Sequence, residues 1–93
     1  MISATNRGNE WGKFSETVLE HIENYTVPQY GDAPNDNCET YRARDCLMQM
    51  RKYIRRFGTN QRKGQELLDM MKIAHYACIA YGKIEQGDKP EVL

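Results

Sequence analysis

The segment from Gln65 to Ile84 constrains the fold most, because apolar residues cover most of its circumference when it is drawn as a helix. One face carries the apolar residues Leu67, Met70, Met71, Ala74, Cys78 and Tyr81. The polar stripe is narrow and consists of Asp69, Lys72, Tyr76 and Lys83. A helix that is apolar on several sides is usually buried on several sides. We therefore expect this helix to be central in a bundle or to lie at the interface of a homo-oligomer.

Two further segments have the spacing of amphipathic helices. The first starts after a predicted N-cap at Asn9, and its apolar residues recur at spacings of 3 or 4: Trp11, Phe14, Val18, Ile22 and Tyr25. The second runs from about Thr40 to Phe57, ends at a left-handed Gly58 and has its seam at Leu47, Met50, Ile54 and Phe57. No segment alternates as a strand does. The predicted fold class is all-α, with three main helices in a small bundle.

The length of 93 residues predicts a single domain. We place this helical domain at residues 10–84 and expect flexible tails at 1–9 and 85–93. Residues 26–39 contain two prolines and a glycine, and they are predicted to form an ordered loop.

Several classes of protein are excluded or disfavoured by composition. The 3 cysteines are an odd number, which argues against a disulfide framework, and with the 2 histidines they are too scattered for a structural zinc site. No stretch approaches the roughly 20 apolar residues of a membrane span. The N-terminal residues lack the apolar core of a signal peptide, so we expect a cytoplasmic protein without membrane contact.

A neutral total charge hides a basic segment. The chain has 13 basic and 13 acidic residues, but residues 41–63 contain eight of the former and only Asp45 of the latter. Two interpretations stay open: the cations bind phosphate, or they pair with acidic groups of the same or another subunit. For phosphate binding the candidates are Lys52, Arg55, Arg56 and Lys72. A nucleoside triphosphate needs only two or three cations, whereas the support for nucleic acid is weaker.

Acidic residues are paired on two predicted helices. Glu16, Glu20 and Glu23 share one arc of the first helix, and Glu66 and Asp69 share a side of the third. Mg²⁺ prefers such hard oxygen ligands, completed by water and substrate phosphates. The alternatives are a solvated glutamate face on the first helix, acids favoured by the third helix's N-terminal dipole, and an Asp69–Lys72 ion pair.

Three motifs resemble known families. The run from Lys52 to Gly58 (KYIRRFG) and the later pattern Glu66-x-x-Asp69-x-x-Lys72-x-x-x-Tyr76 look like those of small phage and prophage proteins. The Tyr30-Gly-Asp32 element is similar to one in phage nucleotide-modification-associated domains. Both groups distantly resemble the all-α nucleoside triphosphate pyrophosphohydrolases of the MazG type. In that family ExxE and ExxD motifs hold Mg²⁺, and Glu20-x-x-Glu23 and Glu66-x-x-Asp69 match them.

The resemblance departs from the MazG-type pattern at two points. Leu19 replaces the first residue of the usual glutamate pair, and 42 residues separate Glu23 from Glu66. The resemblance implies a nucleotide-handling protein of a phage or prophage type, with Mg²⁺-dependent pyrophosphohydrolysis as its reaction. The alternatives are a non-enzymatic accessory protein that binds nucleic acid or a host protein through residues 41–63, and a purely structural oligomer.

Overall fold

The computed structural model describes residues 4–32, 40–59 and 62–89, and every regular element within those ranges is helical. The all-α prediction is therefore confirmed. The chain divides into two compact units, Met1–Asp32 and Ala33–Leu93, and each is described by itself. The single domain over residues 10–84 stays a prediction.

The first unit is one helical run with a wide turn in it. Helix α1 spans Asn6–His21, a π-helical turn spans Ile22–Thr26, and helix α2 spans Val27–Tyr30. The helix starts earlier than Asn9, because the Thr5 side-chain oxygen accepts a 3.0 Å hydrogen bond from the amide of Gly8. Helix also replaces the first part of the predicted loop. Gly31 and Asp32 follow without regular structure, and residues 33–39 of that loop, with Cys38, lie outside the described residues.

The apolar stripe of α1 is open within its own unit. Trp11 and Phe14 form an aromatic pair with ring centroids 5.8 Å apart, yet Trp11 is 64% exposed. None of the unit's described residues is buried. The amphipathic pattern predicted this helix correctly, but the pattern's usual consequence, a covered apolar face, is not seen here.

The second unit is a hairpin of two helices, α3 (Ala43–Arg55) and α4 (Gln65–Glu85). Its small core consists of Ala43, Cys46 and Ala80. Gly58 and Gly64 both have a φ of +81°, a left-handed conformation that side chains other than glycine's adopt only with strain. Gly58 thus ends the region of α3 as predicted, although regular helix stops at Arg55, before the predicted Phe57.

An ion pair stabilises each end of the hairpin. At the open end, Asp88 accepts a 2.7 Å hydrogen bond from the amide of Ala43 and pairs with Arg42 at 3.1 Å. At the turn end, Arg56 pairs with Asp69 at 2.8 Å. The amide of Ala43 is one of the donors that the first turn of a helix leaves without an intrahelical partner, so Asp88 caps α3 from the far end of α4.

The two helices do not pack through the faces that their apolar patterns predicted. On α3 the buried face is centred on Ala43, Cys46 and Tyr53, and the predicted seam residue Ile54 is 59% exposed. On α4 the predicted polar stripe meets α3 through Asp69 and Tyr76, while the apolar face is open. Small residues allow close approach of the backbones, and the Arg56–Asp69 pair fixes the rotation of α4. The apolar pattern of the sequence does not predict the Arg56–Asp69 pair.

The open face of α4 has a regular spacing. Its residues follow one another at intervals of three and four: Leu67, Met70, Ala74, Ala77, Tyr81 and Ile84. Leu67 is 74% exposed and Tyr81 67%. Intervals of three and four are those of a coiled-coil seam. No helix among the described residues is long and apolar enough to cross a bilayer.

Candidate phosphate-binding site

A shallow groove of about 450 Å³ lies along α3 and the turn that follows it. Four of its six lining residues are cationic, and the full set is Met48, Arg51, Lys52, Arg55, Arg56 and Thr59. Arg51 and Arg55 are four residues apart, as are Lys52 and Arg56, so the two pairs form neighbouring rows on one side of the helix. Four cations thus border one surface that could receive an anionic ligand.

Three positively charged groups lie over the ring of Tyr53. The Lys52 ammonium lies 4.7 Å from the ring centroid, the Arg56 guanidinium 4.6 Å, and the Lys72 ammonium 5.3 Å. The ring itself is nearly buried and stacks on Tyr76 with centroids 6.2 Å apart. Cations are attracted to an aromatic face within about 6 Å of its centroid. Tyr53 therefore offsets part of the repulsion among three like charges.

A buried carboxylate holds Arg56 in place. Asp69 accepts hydrogen bonds from Nη2 of Arg56 at 2.8 Å and from Nε at 3.4 Å, a fork-shaped contact. Gln65 donates a third bond to the same carboxylate at 2.8 Å. The Asp69 side chain is 3% exposed, whereas that of Arg56 is 37% exposed. One side of Arg56 is thus fixed in the protein while the rest of it borders the groove.

The charge state of Asp69 follows from these contacts. The hydrogen bonds from Arg56 hold the pKa of Asp69 below its usual range, and the bond from Gln65 lowers it further, while burial acts in the opposite direction. Asp69 is therefore ionised at neutral pH.

The arginines of the basic segment differ in their pairing. Arg42 and Arg56 pair with aspartates of the same unit. Within the described ranges, Arg51 and Arg55 make no ion pair. Both flank the last turns of α3, where cations also stabilise the negative end of a helix dipole. Internal pairing thus accounts for part of the positive charge, and the two arginines at the groove are left over.

The predicted phosphate-binding residues lie close together. Lys52, Arg55 and Arg56 line the groove, and Lys72 joins Lys52 and Arg56 at the ring of Tyr53. Arg51 and Gln65 also belong to this cluster, although neither is among the residues predicted from the sequence. Both were detectable in principle, because Arg51 precedes Arg55 by four residues and Gln65 precedes Asp69 by four, the spacing at which helical side chains meet.

The predicted magnesium ligands have different surroundings. Glu16, Glu20 and Glu23 are exposed on the helical run of the first unit, and Glu66 is exposed in the first turn of α4. Asp69 is buried, and its oxygens already accept from Arg56 and Gln65. Within each unit, the described residues contain no three His, Cys, Asp or Glu side chains arranged to hold a metal ion. Mg²⁺ binding by these five residues stays a prediction.

No protein-family model matches the chain, and neither a curated protein nor a solved structure matches it.

Proposed function

We propose that this chain is a cytoplasmic nucleotide-handling protein of the phage or prophage type that binds the phosphate groups of a nucleoside triphosphate in the α3 groove. The observation that carries the proposal is positive charge at the groove that no ion pair among the described residues neutralises. Arg51 and Arg55 border the groove without an ion pair among the described residues, beside Lys52 and a fixed Arg56. Arginine matches phosphate geometry with two parallel donors, and lysine contributes a point charge.

The ligand class follows from the extent of the site. The four cations occupy two adjacent rows within two turns of one helix, which suits a compact polyphosphate. A nucleic acid strand is longer, and its binding would show a steep dependence on salt because many counterions are released. Nucleic acid or an acidic host protein is therefore the alternative occupant of the same groove.

Calorimetric titration of the purified protein with ATP, tripolyphosphate and single-stranded DNA tests the proposal. We expect ATP to bind, and Arg55→Gln to weaken binding about tenfold, the loss typical of one charged hydrogen bond. Lys13→Gln in α1 is the matched control, because it removes the same charge outside the groove and should leave the affinity unchanged. Equal losses in both variants, or no ATP binding by the unmodified protein, would contradict the proposal.

The same titrations address magnesium and hydrolysis. The resemblance to pyrophosphohydrolases implies that added Mg²⁺ is required for turnover of the bound nucleotide. Product analysis with and without Mg²⁺ tests that implication independently of binding. Binding without turnover in either condition favours the non-enzymatic accessory protein.

We also propose that the protein is a homo-oligomer whose copies pair through α4. The supporting observation is the open seam from Leu67 to Ile84, which lies on the far side of α4 from α3. Large exposed apolar patches on small proteins usually mark interaction surfaces.

A further inference from the structure

We infer that Asp69 and Gln65 are positioning residues for the phosphate site: they hold the Arg56 guanidinium at the groove and do not themselves contact the ligand. This inference rests on the proposed function and concerns residues outside its ligand-binding set. It also differs from the role in metal binding that the ExxD pattern implies for Asp69.

Asp69 and the ring of Tyr53 fix the position of the Arg56 guanidinium. Two nitrogens of Arg56 are already committed to Asp69, at 2.8 and 3.4 Å. A guanidinium has five N–H donors in a rigid fork. Three donors, including both on Nη1, are left over in a group whose position is fixed by the carboxylate on one edge and by the Tyr53 face, 4.6 Å away. An arginine held in this way loses little side-chain entropy when a phosphate binds.

Burial separates Asp69 from any ligand in the groove. Asp69 is nearly inaccessible, so a ligand cannot reach it without displacing Arg56 or Gln65. A buried carboxylate is costly unless donors replace its water, and the three hydrogen bonds from these two residues do so. Gln65 is itself buried and has its donor directed at Asp69, which keeps the carboxylate oriented toward Arg56. Asp69 and Gln65 together therefore hold the Arg56 guanidinium in place.

The direction in which ATP affinity changes when Asp69 is replaced distinguishes a positioning role from a purely electrostatic one. Asp69 is a negative charge beside a cationic site, so removing it should tighten the binding of an anion if charge alone matters. A positioning role has the opposite consequence, because Arg56 loses its fixed orientation. We expect Asp69→Asn to weaken ATP binding about tenfold in buffer containing EDTA, where no metal ion can contribute.

A double-mutant cycle tests whether the effect passes through Arg56. ATP affinities are measured for Asp69→Asn alone and in backgrounds carrying either Arg56→Gln or Arg55→Gln. The loss should vanish with Arg56→Gln and persist with Arg55→Gln, the neighbouring groove arginine that does not contact Asp69. Circular dichroism confirms that each variant is helical. Gln65→Met preserves the net charge and removes the donor, so a loss of about threefold is expected even if Asp69→Asn fails to fold.

Three outcomes overturn the inference. The first is unchanged or tighter binding in folded Asp69→Asn, and the second is an undiminished loss in the Arg56→Gln background. The third is unchanged binding in Gln65→Met. If the unmodified protein binds neither ATP nor tripolyphosphate, the proposed function itself fails, and the inference falls with it.

Discussion

At the scale of single residues, Asp69 shows how one contact changes the meaning of a sequence motif. Glu66-x-x-Asp69 reads as a pair of ligands on one side of a helix, and the spacing does place both on α4. Their surroundings separate them, since Glu66 is exposed and Asp69 is buried against Arg56. The burial of one member depends on a residue 13 positions earlier, which no local pattern identifies.

The ionisation of Asp69 predicts a specific dependence of stability on pH. Its pKa is lowered by the hydrogen bonds from Arg56, so the folded protein binds this proton more weakly than the unfolded chain does. The stabilisation is fully present above the unfolded value of about 3.9 and is lost as the pH falls through the lower folded value. We expect the free energy of unfolding, measured with urea, to fall progressively as the pH drops below about 5.

The Asp69→Asn variant isolates this contribution, because it cannot titrate. Its stability should fall less steeply over the same pH interval than that of the unmodified protein. Asp88 also has a lowered pKa, chiefly because of its bond from the amide of Ala43, so Asp88→Asn should remove a separate part of the slope. The same slope in Asp69→Asn as in the unmodified protein would show that this carboxylate is not ionised in the way described.

At the scale of secondary structure elements, two glycines have opposite roles. Gly58 has a φ of +81° in the turn after α3, whereas Gly82 lies in the interior of α4. A Cβ atom added at either position would meet nothing within 4 Å, so neither substitution causes a clash. The backbone conformation alone distinguishes the two positions.

We predict that Gly58→Ala destabilises the protein and that Gly82→Ala stabilises it. The left-handed conformation costs an alanine about 1–2 kcal/mol. In a helix interior, alanine is favoured over glycine by up to about 1 kcal/mol. Thermal melting followed by circular dichroism measures both changes, and each variant is the other's control because the side chain added is the same. Shifts of the same sign in both would refute this account.

The sequence predicted where the helices lie better than it predicted which of their faces pack together. Helix α4 was predicted to span Gln65 to Ile84 and ends one residue later, because long apolar periodicity and the glycine turn are local signals. The contact between α3 and α4 was not predictable in this way. It uses Ala43, Cys46 and Ala80, whose small side chains give little periodic signal, and it turns the polar stripe of α4 inward.

The candidate site was predicted in part for the same reason. The sequence predicts Lys52, Arg55 and Arg56 from the basic segment, whereas no local pattern links Lys72, on the third predicted helix, to them. The ring of Tyr53 brings Lys72 to the others, and it is nearly buried. Its electrostatic role depends on the packing of α4 against α3, which the sequence does not predict.

At the scale of the whole molecule, the open seam of α4 leads to a prediction about assembly. We expect sedimentation equilibrium to show oligomers of the unmodified protein and a shift to monomers for Leu67→Lys, because a lysine buried in the seam is costly. Ile54→Lys is the matched control: Ile54 is an exposed apolar residue of comparable size on α3, outside the seam. Monomers at all concentrations, or equal effects of the two substitutions, would contradict pairing through α4.

The ion pairs at the two ends of the hairpin also have a consequence for the order in which the second unit folds. The pair at the turn joins residues 13 apart, and the pair at the open end joins residues 46 apart. Closing the longer loop costs about 1 kcal/mol more chain entropy. The contacts at the turn should therefore form first. Arg56 should already pair with Asp69 before Asp88 contacts Arg42 at the other end of the hairpin.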